Sequence, residues 1–189
     1  PGEGKTTQSL VLAQNMAALG KRVLLMEGDV RRQVFSQYFN YKPQANLVSI
    51  LTGEASIEQA VVTAELIGVD ILMGAKSKVN AADLFSSNSF VNLIKDLRAR
   101  YDFIIIDTPP VLVVPDARVI GQYVDAILYS VHWDKTTRTQ VKQGLQMFES
   151  IGLKVAGLSM AQVDPRGMKR YGYGKYGAYN AYGAGYYDN

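Results

Sequence analysis

Near the start of the chain, Gly2-Glu3-Gly4-Lys5-Thr6-Thr7 brings together two glycines, a lysine and two hydroxyls. Glycines let backbone N–H groups curl around phosphate oxygens, and a helix opening at the same point adds a favourable dipole. In that setting Lys5 reaches the β- and γ-phosphates of a nucleotide, and the Thr6 hydroxyl binds Mg²⁺. A glycine-rich turn with a solvated lysine would use the same residues, so the loop needs partners downstream. The first is Asp107, which ends the run Phe103-Ile104-Ile105-Ile106 and precedes Thr108-Pro109-Pro110. A carboxylate at the carboxyl end of a buried strand sits where doubly wound sheets bind ligands, and it can hold Mg²⁺ directly or through water. The second is Glu27-Gly28-Asp29-Val30-Arg31-Arg32, at the end of another apolar run. Two carboxylates alternating around a glycine face one crevice, where one could sit near the metal and the other accept a proton from an attacking hydroxyl. Arg31 or Arg32 could contact phosphate as a planar fork.

The elements that must position these groups are legible as hydrophobic patterns. Thr6 to Leu19 reads as a helix closed by Gly20. Arg22 to Glu27 and Phe103 to Asp107 are short, nearly continuous apolar runs, the mark of buried parallel strands. Val69 to Met73, Asp125 to Val131 and Lys154 to Met160 read as further strands. Ser56 and Gln59 have the spacing of a capping box for a helix through about Ala64. Phe90, Ile94 and Leu97 share one helical face, and Val141, Leu145 and Phe148 share another that Gly152 closes. His132 and Trp133 follow a strand and read as packing residues. The alternation predicts an α/β, doubly wound fold, a mostly parallel sheet with helices on both faces. A phosphate loop is fed by a strand, and this sequence opens at the loop, so one further strand is expected ahead of Pro1.

Composition narrows the chemistry. With 189 residues, 48% hydrophobic and 20% charged, the chain is long enough for one domain with a real core. It has no cysteine, which excludes disulfide scaffolds, thiolate metal sites and cysteine nucleophiles. One histidine, His132, argues against histidine zinc sites and Ser–His triads. A net charge of +3 is too weak to argue for nucleic acid. There is no run of 18 apolar residues and no signal-peptide pattern, so the expectation is a soluble, cytoplasmic domain.

The last stretch differs from the rest. Residues 171–189 read YGYGKYGAYNAYGAGYYDN, with seven of the chain's 12 tyrosines and no Val, Ile or Leu. Such a segment cannot build a core. The chain is therefore divided into residues 1–163, a nucleotide-binding domain, and 164–189, a flexible Tyr/Gly-rich tail.

In their order, PGEGKTT, VLLMEGDVRR, YDFIIIDTPPVLVVPDA, QVDPR and the terminal tyrosine cluster resemble the catalytic domain of the bacterial tyrosine kinases of capsular and exopolysaccharide export. The resemblance spans essentially the whole chain. It implies an ATP- and Mg²⁺-dependent autokinase that phosphorylates its own tail tyrosines, usually in trans within a ring of copies. It also implies a transmembrane activator of the polysaccharide co-polymerase type, fused or separate, and a place at the inner face of the cell membrane. By position, Gly4, Lys5 and Thr6 fall on the Walker A core within the loop Gly2–Thr7, and Asp107 on Walker B. Glu27 and Asp29 fall on the two acidic places of the additional Walker A′ motif. Together with the reading of the residues, this gives Lys5, Glu27 and Asp29 as catalytic residues, Arg31 as a phosphate contact, and Thr6, Asp29 and Asp107 as metal ligands. Tyr171, Tyr173, Tyr176, Tyr179, Tyr182, Tyr186 and Tyr187 are the implied phosphoacceptors. The 19 residues 171–189 reach about 60 Å when extended, and tethering raises the local phenol concentration.

The chain departs from the family pattern at two places. Glu27 stands where the family carries Asp, and Ala161 stands where it carries an Asn that can touch the adenine base. Two other classes remain open on the residues alone. One is a nucleotide-binding regulatory module without catalysis, and the other a dimeric ATPase switch of the chromosome-partitioning or septum-site type.

Overall fold

The hydrophobic runs become strands and helices in a computed structural model that describes residues 2–41, 43–77 and 79–168. In chain order the elements are α1 (Lys5–Ala18), β1 (Val23–Glu27), α2 (Phe35–Tyr38), α3 (Leu47–Leu51), α4 (Ile57–Ala60), β2 (Val61–Ala64), β3 (Val69–Leu72), α5 (Ala81–Ser86), α6 (Asn88–Arg100), β4 (Phe103–Asp107), α7 (Asp116–Gly121), β5 (Leu128–His132), α8 (Arg138–Glu149), β6 (Gly157–Ala161) and α9 (Pro165–Met168).

β1 is buried along its whole length and pairs in parallel with β3 on one side and β4 on the other. With β2 antiparallel to β3, the sheet order is β2-β3-β1-β4. The period-two pleat sends Leu24 and Met26 to one face and Val23 and Leu25 to the other. On the first face they join Leu47, Phe85, Phe90, Leu97 and Ile120, contributed by α3, α5, α6 and α7. On the second they join Ala13 of α1 and Phe35 of α2. Each Val, Leu, Ile, Met or Phe side chain so taken out of water contributes about 1.5–3 kcal/mol. The fold is the expected α/β arrangement, mostly parallel, with helices on both faces.

Three expectations need correction. The helix expected from Ser56 to about Ala64 stops at Ala60, although Gln59 does accept from the Ser56 N–H at 2.9 Å. Val61-Val62-Thr63 is a β-branched run that prefers a pleated surface, and it turns back on β3, where the Thr63 hydroxyl donates to the Asp70 carboxylate at 2.6 Å. The strands expected from Asp125 and Lys154 begin later, at Leu128 and Gly157; ahead of the first, Asp125 is held at the surface by Arg98 at 2.9 Å. The tail assigned from residue 164 opens with the helical turn α9, whose Arg166 and Gly167 N–H groups donate to the Asp164 carboxylate. The seven tail tyrosines lie outside the described residues.

β5 and β6 form a parallel pair of their own. Between β4 and β5 runs a cavity of about 1030 Å³, lined by residues of both strands and by Gln8, Ser9 and Leu12 of α1. Among the described residues β4 is paired only on its β1 side and β5 only on its β6 side.

Candidate functional site

The loop that opens α1 has the conformation its glycines permit. Gly2 and Gly4 sit at φ +82° and +81°, where an L side chain would be strained. Gly4 is the residue before the first helical turn, and its carbonyl accepts from Gln8 N–H at 2.9 Å. The helix therefore starts at Lys5 with its unpaired N–H groups at the loop, the end at which a helix favours anions. Lys5 Nζ is held by Glu3 Oε2 at 2.6 Å. Partial burial pushes the Glu3 carboxyl up, but the hydrogen bond and charge of Lys5 together with other hydrogen-bond donors hold it down at about 2.

Strand tips bring the acids to this loop. In the β1–β4 ladder Glu27 lies directly across from Asp107, and Gly28 N–H donates to the Asp107 carbonyl at 2.7 Å. A side chain at Gly28 would place Cβ 2.9 Å from that carbonyl, so only glycine lets the two tips meet. Asp107 is 5% exposed. The Thr6 hydroxyl donates to its Oδ2 at 2.6 Å and Ser9 to its Oδ1 at 3.4 Å. Burial pushes the Asp107 carboxyl up; Thr6 and the Lys5 charge pull it back, and Asp29 adds to the rise. Asp29 is also buried, and its Oδ1 accepts from the backbone N–H groups of Arg31 and Arg32. Glu27, Asp29 and Asp107 thus share one corner beside the opening of α1, close enough to act on one another electrostatically.

Within that corner two residues do something other than expected. Glu27 is 1% exposed, and both its oxygens are engaged: Oε1 accepts from Phe35 N–H at 2.7 Å and Oε2 from Gly74 N–H at 2.9 Å. Burial still pushes its carboxyl up, with the two backbone donors opposing. A carboxylate so committed ties β1 to the segments after it and after β3, and is not placed to take a proton from an incoming hydroxyl. Arg31, expected on phosphate, makes a fork to Asp116 instead, with Nε–Oδ2 at 3.1 Å and Nη2–Oδ1 at 3.2 Å. Asp116 is wholly buried, and a buried carboxylate requires such a partner.

Reading the residues alone missed Asp116, Ser9, Gly74 and Gln162. Ser9 stands three positions after Thr6, so the helical period signals it. Gly74 and Asp116 act only through contacts distant in sequence. Gln162, just past β6, donates from Nε2 to the Gly2 carbonyl at 2.5 Å, and Ser130 of β5 donates to Gln8 of α1 at 2.6 Å. Among the described residues no three acids or histidines could hold a metal ion alone. A cation beside Thr6 and Asp107 would complete its shell with phosphate oxygens and water, as Mg²⁺ commonly does.

A glycine-rich loop opening a helix over a parallel sheet, faced by a strand-tip aspartate, defines the P-loop class of nucleotide-binding fold. The profile of the AAA domain family matches residues 1–151. The tyrosine-protein kinase ptk of Acinetobacter johnsonii is 37% identical over 163 residues, covering 86% of this chain and 22% of that protein. The tyrosine-protein kinase CpsD of Streptococcus pneumoniae is 31% identical over 184 residues, covering 97% of this chain and 80% of that protein. The kinase domain of Escherichia coli tyrosine kinase ETK superposes with a TM-score of 0.84 at 27% identity, covering 88% of this chain and 65% of that one. The chain belongs to the AAA domain family and, within it, to the bacterial tyrosine-protein kinases. It spans less than a quarter of the length of ptk and four fifths of CpsD. No described helix is long and apolar enough to cross a membrane.

Proposed function

We propose that this chain is the nucleotide-binding part of a kinase that moves the γ-phosphoryl group of Mg·ATP to tyrosines of its own C-terminal cluster, in a second copy of the chain. The observation that carries this reading is the 2.6 Å contact between Thr6 Oγ1 and Asp107 Oδ2, which joins the phosphate loop to the strand-tip acids. Residues 1–163 supply the site, and 164–189 the substrate tail.

When bound, Mg²⁺ would neutralise negative charge that develops on the phosphates during transfer. Thr6 and Asp107 would hold it, with Asp29 alongside. The loop Gly2–Thr7 cradles the phosphates with backbone N–H groups, and Lys5 exchanges Glu3 for a phosphate oxygen. A free phenol titrates near 10, so transfer at neutral pH needs a base. Asp29 takes that role through the oxygen that Arg31 and Arg32 leave open. The phenolic proton passes to it as the tyrosine oxygen bonds to phosphorus and the bond to the β–γ bridging oxygen breaks. Trans transfer calls for a ring-like homo-oligomer. Pairing with a transmembrane polysaccharide co-polymerase-type activator at the inner membrane face rests on the family resemblance, as does regulation of polysaccharide export.

Incubating the complete protein with Mg·ATP and mapping phosphate by mass spectrometry tests the reading. Phosphotyrosine at residues 171–187 that disappears in Lys5→Ala supports it. Hydrolysis without phosphotyrosine would point to a partitioning-type switch. Nucleotide binding with neither outcome would favour the regulatory module, the reading to which the backbone-bound Glu27 lends weight.

A further inference from the structure

The phosphate loop is gripped from a second direction, by the end of β6. Gln162 reaches it across 160 positions of sequence, its Nε2 donating to the Gly2 carbonyl at 2.5 Å. Its backbone sits at φ +55°, a left-handed conformation that strains a non-glycine residue. The neighbouring contact is equally close: a Cβ at Gly4 would lie 3.4 Å from Ala161 Cβ and 3.6 Å from Gln162 Nε2. Residues 161 and 162 therefore lie against the loop at both of its glycines.

In a trans peptide the carbonyl and the following N–H point in opposite directions. A donor that holds the Gly2 carbonyl from outside thereby fixes the Glu3 N–H on the other side of the same plane. Turning that peptide over rotates ψ of Gly2 together with φ of Glu3, and Gly2, having no Cβ, does little to resist its share of the rotation. Turned over, it would offer an oxygen to the phosphates in place of a donor. We infer that Gln162 is a positioning residue, a latch that keeps the Gly2–Glu3 peptide oriented with its N–H toward the phosphates. The strained backbone at Gln162 is what carries its amide to the carbonyl. This inference rests on the loop being a phosphate site.

The test is titration calorimetry on the complete protein, with Mg·ATP and separately with Mg²⁺ and inorganic tripolyphosphate, alongside thermal melts. Gln162→Gly removes the donor and relieves the strained conformation; Gln162→Met removes the donor and keeps the length. Both should bind either ligand about 3- to 10-fold more weakly, the range that loss of one hydrogen bond gives. Gln162→Gly should do so without melting earlier than the parent, a separation of affinity from stability that a purely structural residue would not show. Unchanged affinity in both variants overturns the latch while leaving the site intact. A loss seen with ATP but not with tripolyphosphate also overturns it, assigning Gln162 to the nucleobase. A parent protein that binds neither ligand removes the phosphate site itself, and the latch with it.

Discussion

In the sheet built on β1, Leu24, Leu25 and Met26 are wholly buried, whereas in the β5–β6 pair Leu128, Leu158 and Met160 keep 56%, 56% and 60% of their surface exposed. The first sheet has helices packed on both faces; the second has a small cluster around Val111, Ala117 and Phe148. The acids stand on the first. The second meets the phosphate loop through polar contacts, Ser130 to Gln8 and Gln162 to Gly2. Apolar burial is strong but non-directional, so it suits the side that must keep Asp29 and Asp107 in place. Hydrogen bonds contribute less but set orientation, which is what a loop of backbone donors requires.

The largest expected effect lies with the acids of the buried half. Asn at position 29 keeps an acceptor for the Arg31 and Arg32 N–H groups but cannot take a proton. Asp29→Asn should lower the rate of tyrosine phosphorylation about 10²- to 10⁴-fold while leaving the melting temperature in place; a rate near the parent's would remove Asp29 from proton transfer. Next comes packing. Leu24→Ala should cost about 2–5 kcal/mol in urea unfolding, against no more than about 0.5 kcal/mol for Leu158→Ala. Equal costs would erase the contrast between the sheets.

Glu27→Gln sharpens the same comparison at smaller amplitude. The amide NH₂ would face one of the two backbone N–H groups that Glu27 now accepts from, leaving a buried donor unpaired at about 1–3 kcal/mol. Stability should fall more than turnover does. If Glu27 were the base, this variant would instead match Asp29→Asn in turnover.

Acid sensitivity is the smallest effect. Hydrogen bonds from Arg100 and Arg22 hold the Glu58 and Asp102 carboxyls at about 2, from ordinary values of 4.5 and 3.8. For a lowered carboxyl the stabilisation is present above the ordinary value and lost as pH falls toward 2. Both pairs are exposed, so solvent screens them. Melting temperature should decline from about pH 4.5 downward, and the decline should be shallower in Glu58→Gln. Trp133, just past β5, is the chain's one tryptophan and reports the other half by fluorescence. An identical decline in the variant would detach the effect from Glu58.

What could be read before the structure follows the reach of each interaction. β1, β4 and α1 were legible because continuous apolar runs and glycine punctuation are local signals, and with them came the meeting of Thr6, Asp29 and Asp107. β2 was not, because a genuine capping box at Ser56 precedes it and masks the β-branched run Val61-Val62-Thr63. The roles of Glu27 and Arg31 turned on partners 47 and 85 positions away, Gly74 and Asp116. Residue type shows that a carboxylate can serve as base or as clamp. Only the neighbours decide which.

The Lys5–Glu3 pair also shapes how a ligand arrives. Because the ammonium already has an anion, entry of a polyphosphate is a substitution at Lys5, with Glu3 released toward solvent. Dissolved ions weaken the outgoing partnership as well as the incoming one, so the two influences partly cancel. Association at this mouth should consequently tolerate brine better than a bare cation would allow.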